Sequence, residues 1–317
     1  MVSMNSYIEI GDYVFRNQCH SVKITSSRTH VGDKAVIQLP NIKGLLDKSI
    51  TTGMPVVIKL GYDDDLYTEF TGYVSAVKPK TPIEIECEDE MWQLRQSPIK
   101  SKGWVAVSLK ELIKYIVPTA TINAFAITLS PFRIESTVLS RAEALDKLKK
   151  EYGFDVYYRG KELYAGLAYQ QHVGEVVYHF QKNAIMDDLT FLRKDDVKVK
   201  IKAISYTPDN KKTEVEVGDK NGETHTLHFF NKTKEELAQL AKSKINMMKY
   251  EGYRGKFKAK GLPRPQHGMI CHLYDDHYPE REGQYFIDGV ETTYSGSQGF
   301  SRTIRLGRKS GVNLIEV

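Results

Sequence analysis

Six short runs rich in β-branched and aromatic residues fill the first hundred positions, at 13–15, 21–25, 35–39, 56–60, 70–74 and 83–87. Turn chemistry separates them: Gly32-Asp33, Gly53-Met54-Pro55, Gly61 with Asp63-Asp64-Asp65, and Lys78-Pro79-Lys80. Glycine reaches backbone angles other residues avoid, proline pre-sets one angle, and aspartate hydrogen-bonds its own backbone, so each cluster reverses the chain. A chain punctuated this closely has no room for long helices and reads as a barrel or sandwich of short strands. Ile83 and Ile85 alternate with Glu84 and Glu86, a strand with one buried face.

From about residue 100 the pattern changes to helical spacing. Ser108-Leu109-Lys110-Glu111 has the form of a capping box and leads into Leu109, Leu112, Ile113 and Ile116, with Pro118 as a stop. Ser140-Arg141-Ala142-Glu143 is a second box, opening a helix with Ala142, Leu145 and Leu148 that ends near Gly153. Residues 154–158 and 163–165 then read as a hairpin. The last third returns to strands at 197–202, 213–217, 226–230, 255–259, 269–273, 285–287 and 303–306. Asn221-Gly222 predicts a hairpin turn between the second and third of these. Thr233-Lys234-Glu235-Glu236 opens one helix, with Leu237, Leu240, Ala241, Ile245 and Met248 on its apolar face. The expected fold is α+β, mainly β: two tube-like antiparallel β-barrel domains, 1–100 and 191–317, flanking a small α+β insert over 101–190.

The two β-rich ends share an order of features. Gly53-Met54, Leu60, Tyr62-Asp63-Asp64, Phe70, Gly72 and Val74 precede the strand at Ile83. Gly268-Met269, Leu273-Tyr274-Asp275-Asp276, Phe286, Gly289 and Val290 precede the strand at Ile304. This is the pattern of an internal duplication.

A length of 317 residues suits about two domains, and 41% apolar content suits a packed core. Mean hydropathy is −0.42, no apolar run approaches the ~20 residues of a membrane span, and Met1 to Ser6 lack the pattern of a signal peptide. Cys19, Cys87 and Cys271 lie far apart and are expected as reduced thiols. Of the net charge of +5, residues 191–260 hold 17 basic and 10 acidic side chains, so the basic balance belongs to one stretch. That is a thinner footprint than nucleic-acid binders show.

No convergent chemistry is legible. Cys271-His272-Leu273-Tyr274-Asp275-Asp276-His277 resembles a metal cluster, but on a strand Cys271 and His272 face opposite ways and the Asp-Asp-His run suits a turn. His20, His30, His172, His179, His225 and His228 are dispersed, and Glu88-Asp89-Glu90 reads as an exposed, solvated turn. No nucleophile elbow, zinc-protease, P-loop or dinucleotide motif occurs. The expectation is therefore no enzyme, no catalytic residues, no metal and no cofactor. Lys198, Lys200 and Lys202 share one strand face, as do Lys256, Lys258 and Lys260 opposite Phe257. Each row reads either as a solvated, edge-protecting face or as a charged surface toward a partner or a channel lumen. Asn231-Lys232-Thr233 has the form of a glycosylation sequon, with Thr233 better explained as a helix cap.

The closing segment carries a resemblance. Gly283, Tyr285, Ile287 and Val290 on one strand, then Thr303 and Leu306 on the next, sit where the late control protein D family of contractile-tail baseplate hubs has them. Phe70-Thr71-Gly72-Tyr73-Val74 and the strand at Val22 resemble that family's first barrel, and the whole is similar to the N-terminal hub module of VgrG. The resemblance implies a homotrimer joining a hexameric tail tube to a trimeric spike, with DNA or cargo passing only through the lumen. It implies a virion tail baseplate or injection-particle component, made in the host cytoplasm and not inserted in a membrane. The sequence stops about ten residues after the last strand, which implies a separate spike protein, and Val312, Leu314, Ile315 and Val317 form a short apolar tail. The alternative is a glycan- or nucleic-acid-binding module using the basic 191–260 stretch.

Overall fold

A computed structural model describes residues 3–129, 132–135, 137–152, 154–169, 173–207, 211–230, 232–279 and 282–311. His172 and the apolar tail at 312–317 lie outside the described residues. The fold is α+β and mainly β. Two compact units divide the chain, Met1–Gln171 with Lys258–Gly268 and Asp288–Ile304, and His172–Phe257 with Met269–Ile287 and Arg305–Val317.

In the first unit the strands are β1 (Met4–Ile10), β2 (Tyr13–Arg16), β3 (Ser21–Ser27), β4 (Lys34–Leu39), β5 (Pro55–Tyr62), β6 (Asp65–Lys78) and β7 (Ile83–Glu88). They lie in the order β3-β4-β7-β6-β5-β1-β2, and their inward positions form one core that includes Ile8, Ile37, Ile58, Leu60, Val74 and Ile85. All six strands expected in the first hundred residues are present. β1 escaped notice because its buried face alternates Ser6 with Ile8 and Ile10, and a serine weakens the apolar signal. The β5–β6 hairpin turns on Asp63 and Asp64, with Tyr62 opposite Asp65 and Asp63 at φ 51°. A short helix α1 (Leu46–Ser49) precedes β5.

After α2 (Met91–Gln96) come three small pairings: β8 (Lys102–Trp104) with β12 (Phe132–Ile134), β9 (Val107–Ser108) with β11 (Thr128–Leu129), and β10 (Thr121–Ala124) with β14 (Glu162–Gly166), which also pairs β13 (Asp155–Arg159). Ser108 caps α3 (Leu109–Ile116) with the reciprocal bonds of a full capping box. Ser140 and Glu143 do the same for α4 (Arg141–Tyr152), through Glu143 N to Ser140 Oγ at 3.2 Å and Ser140 N to Glu143 Oε2 at 3.3 Å. Leu112, Ile113, Ile116, Leu145 and Leu148 from these helices, with Val156 and Leu163, close a separate apolar core.

The second strand set begins with β15 (Glu175–His179) and β16 (Ala184–Leu192), followed by β17 (Val199–Tyr206), β18 (Lys212–Gly218) and β19 (Glu223–Phe230). α5 (Lys234–Met248), capped by Thr233, lays Leu237, Ala241 and Ile245 on Val199, Ile201 and Ala203 of β17. Two expectations are corrected here. The strand begins at Val199, because a 3-10 turn at Lys194–Asp196 leads into it, so Lys198 stands outside the strand. Asn221-Gly222 closes no hairpin: β19 runs parallel to β17 on the side away from β18. The connection instead folds around the start of β17, with Asp219 N donating to Val199 O and Glu223 N to Lys198 O, and a Cβ on Gly222 would meet Val199 backbone at 2.6 Å. Close backbone approach, not hairpin geometry, is what this glycine supplies.

β20 (Gly252–Lys260), β21 (Ile270–Tyr274), β22 (Gly283–Ser295) and β23 (Gly299–Lys309) complete the chain. With β15 and β16 they form the order β16-β20-β23-β22-β21-β15. Ranked along the chain, β1, β3, β4, β5, β6 and β7 occur in the spatial order second, third, sixth, fifth, fourth, first; β15, β16, β20, β21, β22 and β23 repeat that order. Gly53 and Gly268, which open the matching meanders, share φ 87°. The sets differ at their first strands: β1 is antiparallel to β5, whereas β15 is parallel to β21.

Candidate functional site

The first unit carries an open cleft of about 280 Å³ whose wall is crowded with charge. Its anchor is Arg302 on β23. Phe300, Arg302, Ile304 and Leu306 share one strand parity and all are buried, so the alternation that makes an apolar face also carries a guanidinium inward. The partner comes from a β-bulge: pairing between β5 and β6 steps from Ile58↔Phe70 to Lys59↔Thr68, leaving Glu69 as the extra residue. Arg302 meets it with two parallel bonds, Nη2 to Oε1 at 2.8 Å and Nη1 to Oε2 at 2.9 Å, and the two side chains are 1% and 5% exposed. Arg302 also donates to Thr292 Oγ1 and to Gly261 O.

Across the wall, Asp89 corrects the reading of Glu88-Asp89-Glu90 as an exposed turn. Asp89 is buried, accepting Met91 N and Asp33 N, each at 2.9 Å. A carboxylate aimed inward satisfies one amide at the start of α2 and one in the turn before β4. A Cβ on Gly32, at φ 95°, would sit 2.9 Å from that carboxylate, which fixes glycine there. Desolvation, then the neighbouring Asp33 charge, pushes Asp89 up to about 7, and desolvation pushes Asp33 up to about 6. His267, buried and edge-on to Tyr157 at 4.4 Å, is driven down to about 3 by desolvation and by Arg159, Lys149 and Arg28, so it is neutral.

These shifts set a pH dependence. A carboxyl raised from near 3.8 in the unfolded chain stabilises the fold below that value, and the stability is lost as pH rises through its folded value. His267 acts oppositely, but only below its unfolded value of about 6.5. Lys149, which burial lowers to about 8, adds stability as pH rises toward that value. Between pH 6.5 and 7, therefore, urea denaturation is expected to show stability falling with pH, with a flatter slope in Asp89→Asn. An unchanged slope in the variant would assign the titration elsewhere.

A second cluster in the same unit centres on Arg28, whose Nε donates to Asp288 Oδ1 at 2.6 Å and whose Nη1 donates to Asp155 Oδ1 at 2.9 Å. Its guanidinium lies over the Tyr169 ring at 4.0 Å, and Tyr169 Oη donates to Asp288 Oδ1. Sequence reasoning missed both clusters. The readable signal was an arginine at an inward position of the 299–309 strand; the partners, 233 residues away for Arg302 and 260 for Arg28, were not readable.

The expected lysine rows differ from one another. Lys198 is exposed. Lys200 pairs with Glu216 at 3.3 Å, and Lys202 with Glu214 at 2.5 Å, so glutamates of β18 neutralise this face. Lys256, Lys258 and Lys260 alternate along β20 with buried Phe257 and Ala259 and make no ion pair among the described residues. On β21, Cys271 is buried while His272 faces outward to Glu175 at 2.7 Å, as strand alternation requires. No group of three metal-ligating side chains occurs among the described residues, and no helix among them is long and apolar enough to cross a membrane. The cysteines are free thiols.

Neither a protein-family model nor a curated protein matches the chain. Solved structures do. A tail protein from Neisseria meningitidis MC58 superposes with a TM-score of 0.71 at 14% identity, covering 98% of both chains. The fold is a tail-protein fold. A tail protein of prophage MuSo2 from Shewanella oneidensis gives 0.65 at 15% identity, covering 96% of this chain and 98% of that one. An E. coli component of the type VI secretion system, described as similar in structure to T4 bacteriophage tail proteins, gives 0.64 at 9% identity over 98% and 79%.

Proposed function

We propose that this chain is a structural, non-enzymatic component of a phage-like contractile tail or injection apparatus. Within it, the chain serves as a baseplate hub of the late control protein D and VgrG type. The observation that carries this reading is the six-strand order that occurs twice in one chain. If each set forms a tube-like barrel, three chains present six similar faces to a hexameric tail tube while keeping threefold symmetry for a spike. The tail-protein fold supports the same reading. DNA or cargo would pass through the lumen, and Lys256, Lys258 and Lys260, which make no ion pair among the described residues, are its candidate lumen or interface lysines. Lys200 and Lys202, held by glutamates, would contribute less charge there.

Native mass spectrometry tests this, on the chain alone and mixed with the tail-tube and spike proteins of the same source. The expected species is a trimer of the 36.2 kDa chain that takes up both proteins. A monomer that binds neither overturns the proposal.

A further inference from the structure

The charged cleft of the first unit has donors to spare. A guanidinium offers five N–H groups. Arg302 spends its donors on Glu69, Thr292 and Gly261. Arg159 makes one hydrogen bond, Nη2 to His267 O at 2.8 Å, leaving Nε and Nη1 with no hydrogen-bond partner among the described residues. Arg264 donates from Nη2 to Thr68 O, and its side chain is 33% exposed. Its Nη1 is likewise unpartnered, and its Nε lies 3.3 Å from Glu69 Oε1 without a hydrogen bond.

The acids of the wall do not absorb these donors. Glu69 is held at both oxygens by Arg302, and Asp89 is held by backbone amides. Asp33 accepts from Ser26 and Ser27, and the Asp33–Asp89 pair is pushed toward holding a proton near neutral pH. Three arginines against Glu69 and a singly charged aspartate pair leave one positive charge, which matches a monoanion better than a dianion. Ile24, Phe70 and Val290 supply an apolar part of the same wall. Carboxylate geometry suits the planar, forked donors of arginine.

The geometry points to a binding site for a small monocarboxylate with an apolar body, its carboxylate held by Arg159 and Arg264 and its body against Ile24, Phe70 and Val290. The site is independent of the assembly role proposed above.

Calorimetric titration of the full chain at pH 6.5 tests it with benzoate, its neutral counterpart benzamide, and inorganic phosphate. Benzoate is expected to bind saturably in roughly the millimolar range, with Arg159→Gln and Arg264→Gln each weakening it about tenfold, while benzamide gives no saturable heat. Thermal melts confirm that the variants are folded; should one fail to fold, the other variant and benzamide still decide. The proposal is overturned if wild type gives no saturable heat with benzoate up to ~50 mM. Benzamide binding as well as benzoate, folded variants keeping wild-type affinity, or phosphate binding more tightly than benzoate would each overturn it too.

Discussion

Glu69→Ala is expected to destabilise the protein by about 3–5 kcal/mol, since removing one member of a buried pair strands the other's charge. Arg302 is 1% exposed and has no second carboxylate within reach among the described residues, so its charge would lose its main compensation. Arg264, which shares Glu69 at 3.3 Å, would lose its ion pair as well. The control is the double replacement Glu69→Leu with Arg302→Met. Taking out both charges removes the desolvation cost together with the attraction, so the double variant should recover much of the loss of the single one. Urea denaturation of the three proteins measures this. A Glu69→Ala variant within about 1 kcal/mol of wild type would mean that the pair is worth no more than a surface ion pair.

Arg28→Ala is the second large effect, expected at about 3 kcal/mol. Arg28 separates Asp155 from Asp288, whose side chains are 8% and 17% exposed, and without it two desolvated carboxylates share one pocket. Burial, first of all, already raises Asp155, with Arg28 and Lys149 opposing that rise. The deficit of the variant should therefore shrink when the pH is lowered until the carboxylates take up protons. Arg28→Lys should rescue little, because an ammonium cannot reproduce the fork that reaches both acids while lying on Tyr169. Thermal melts at pH 4.5 and pH 7.5 separate the outcomes. A deficit equal at the two values would point to lost packing in place of charge.

The sequence by itself determined the starts of α3, α4 and α5, most of the strands in the two β-rich ends and part of the architecture; β1, β15 and β16 carry no alternation strong enough to read. Capping boxes at Ser108, Ser140 and Thr233 open helices where they stand, because a hydroxyl and a carboxylate three residues apart satisfy amides that no other local group reaches. Strand alternation placed Cys271 inward and His272 outward, and it put Val199 and Ile201 against α5 with Lys200 and Lys202 on the other face. The matching order of Gly-Met, Asp-Asp and Phe-Gly features around two meanders reappears as one strand order occurring twice. Tertiary structure alone decided what depends on partners distant in the chain. Asn221-Gly222 carries the local chemistry of a hairpin turn, yet pairing with β17 draws β19 to its other side. Asp89 looks solvated among acidic neighbours, yet the amides of Asp33 and Met91 draw it inside. The ion pair of Glu69 with Arg302 needs both a bulge and a strand 233 residues away, and no periodicity within either segment encodes the distance between them.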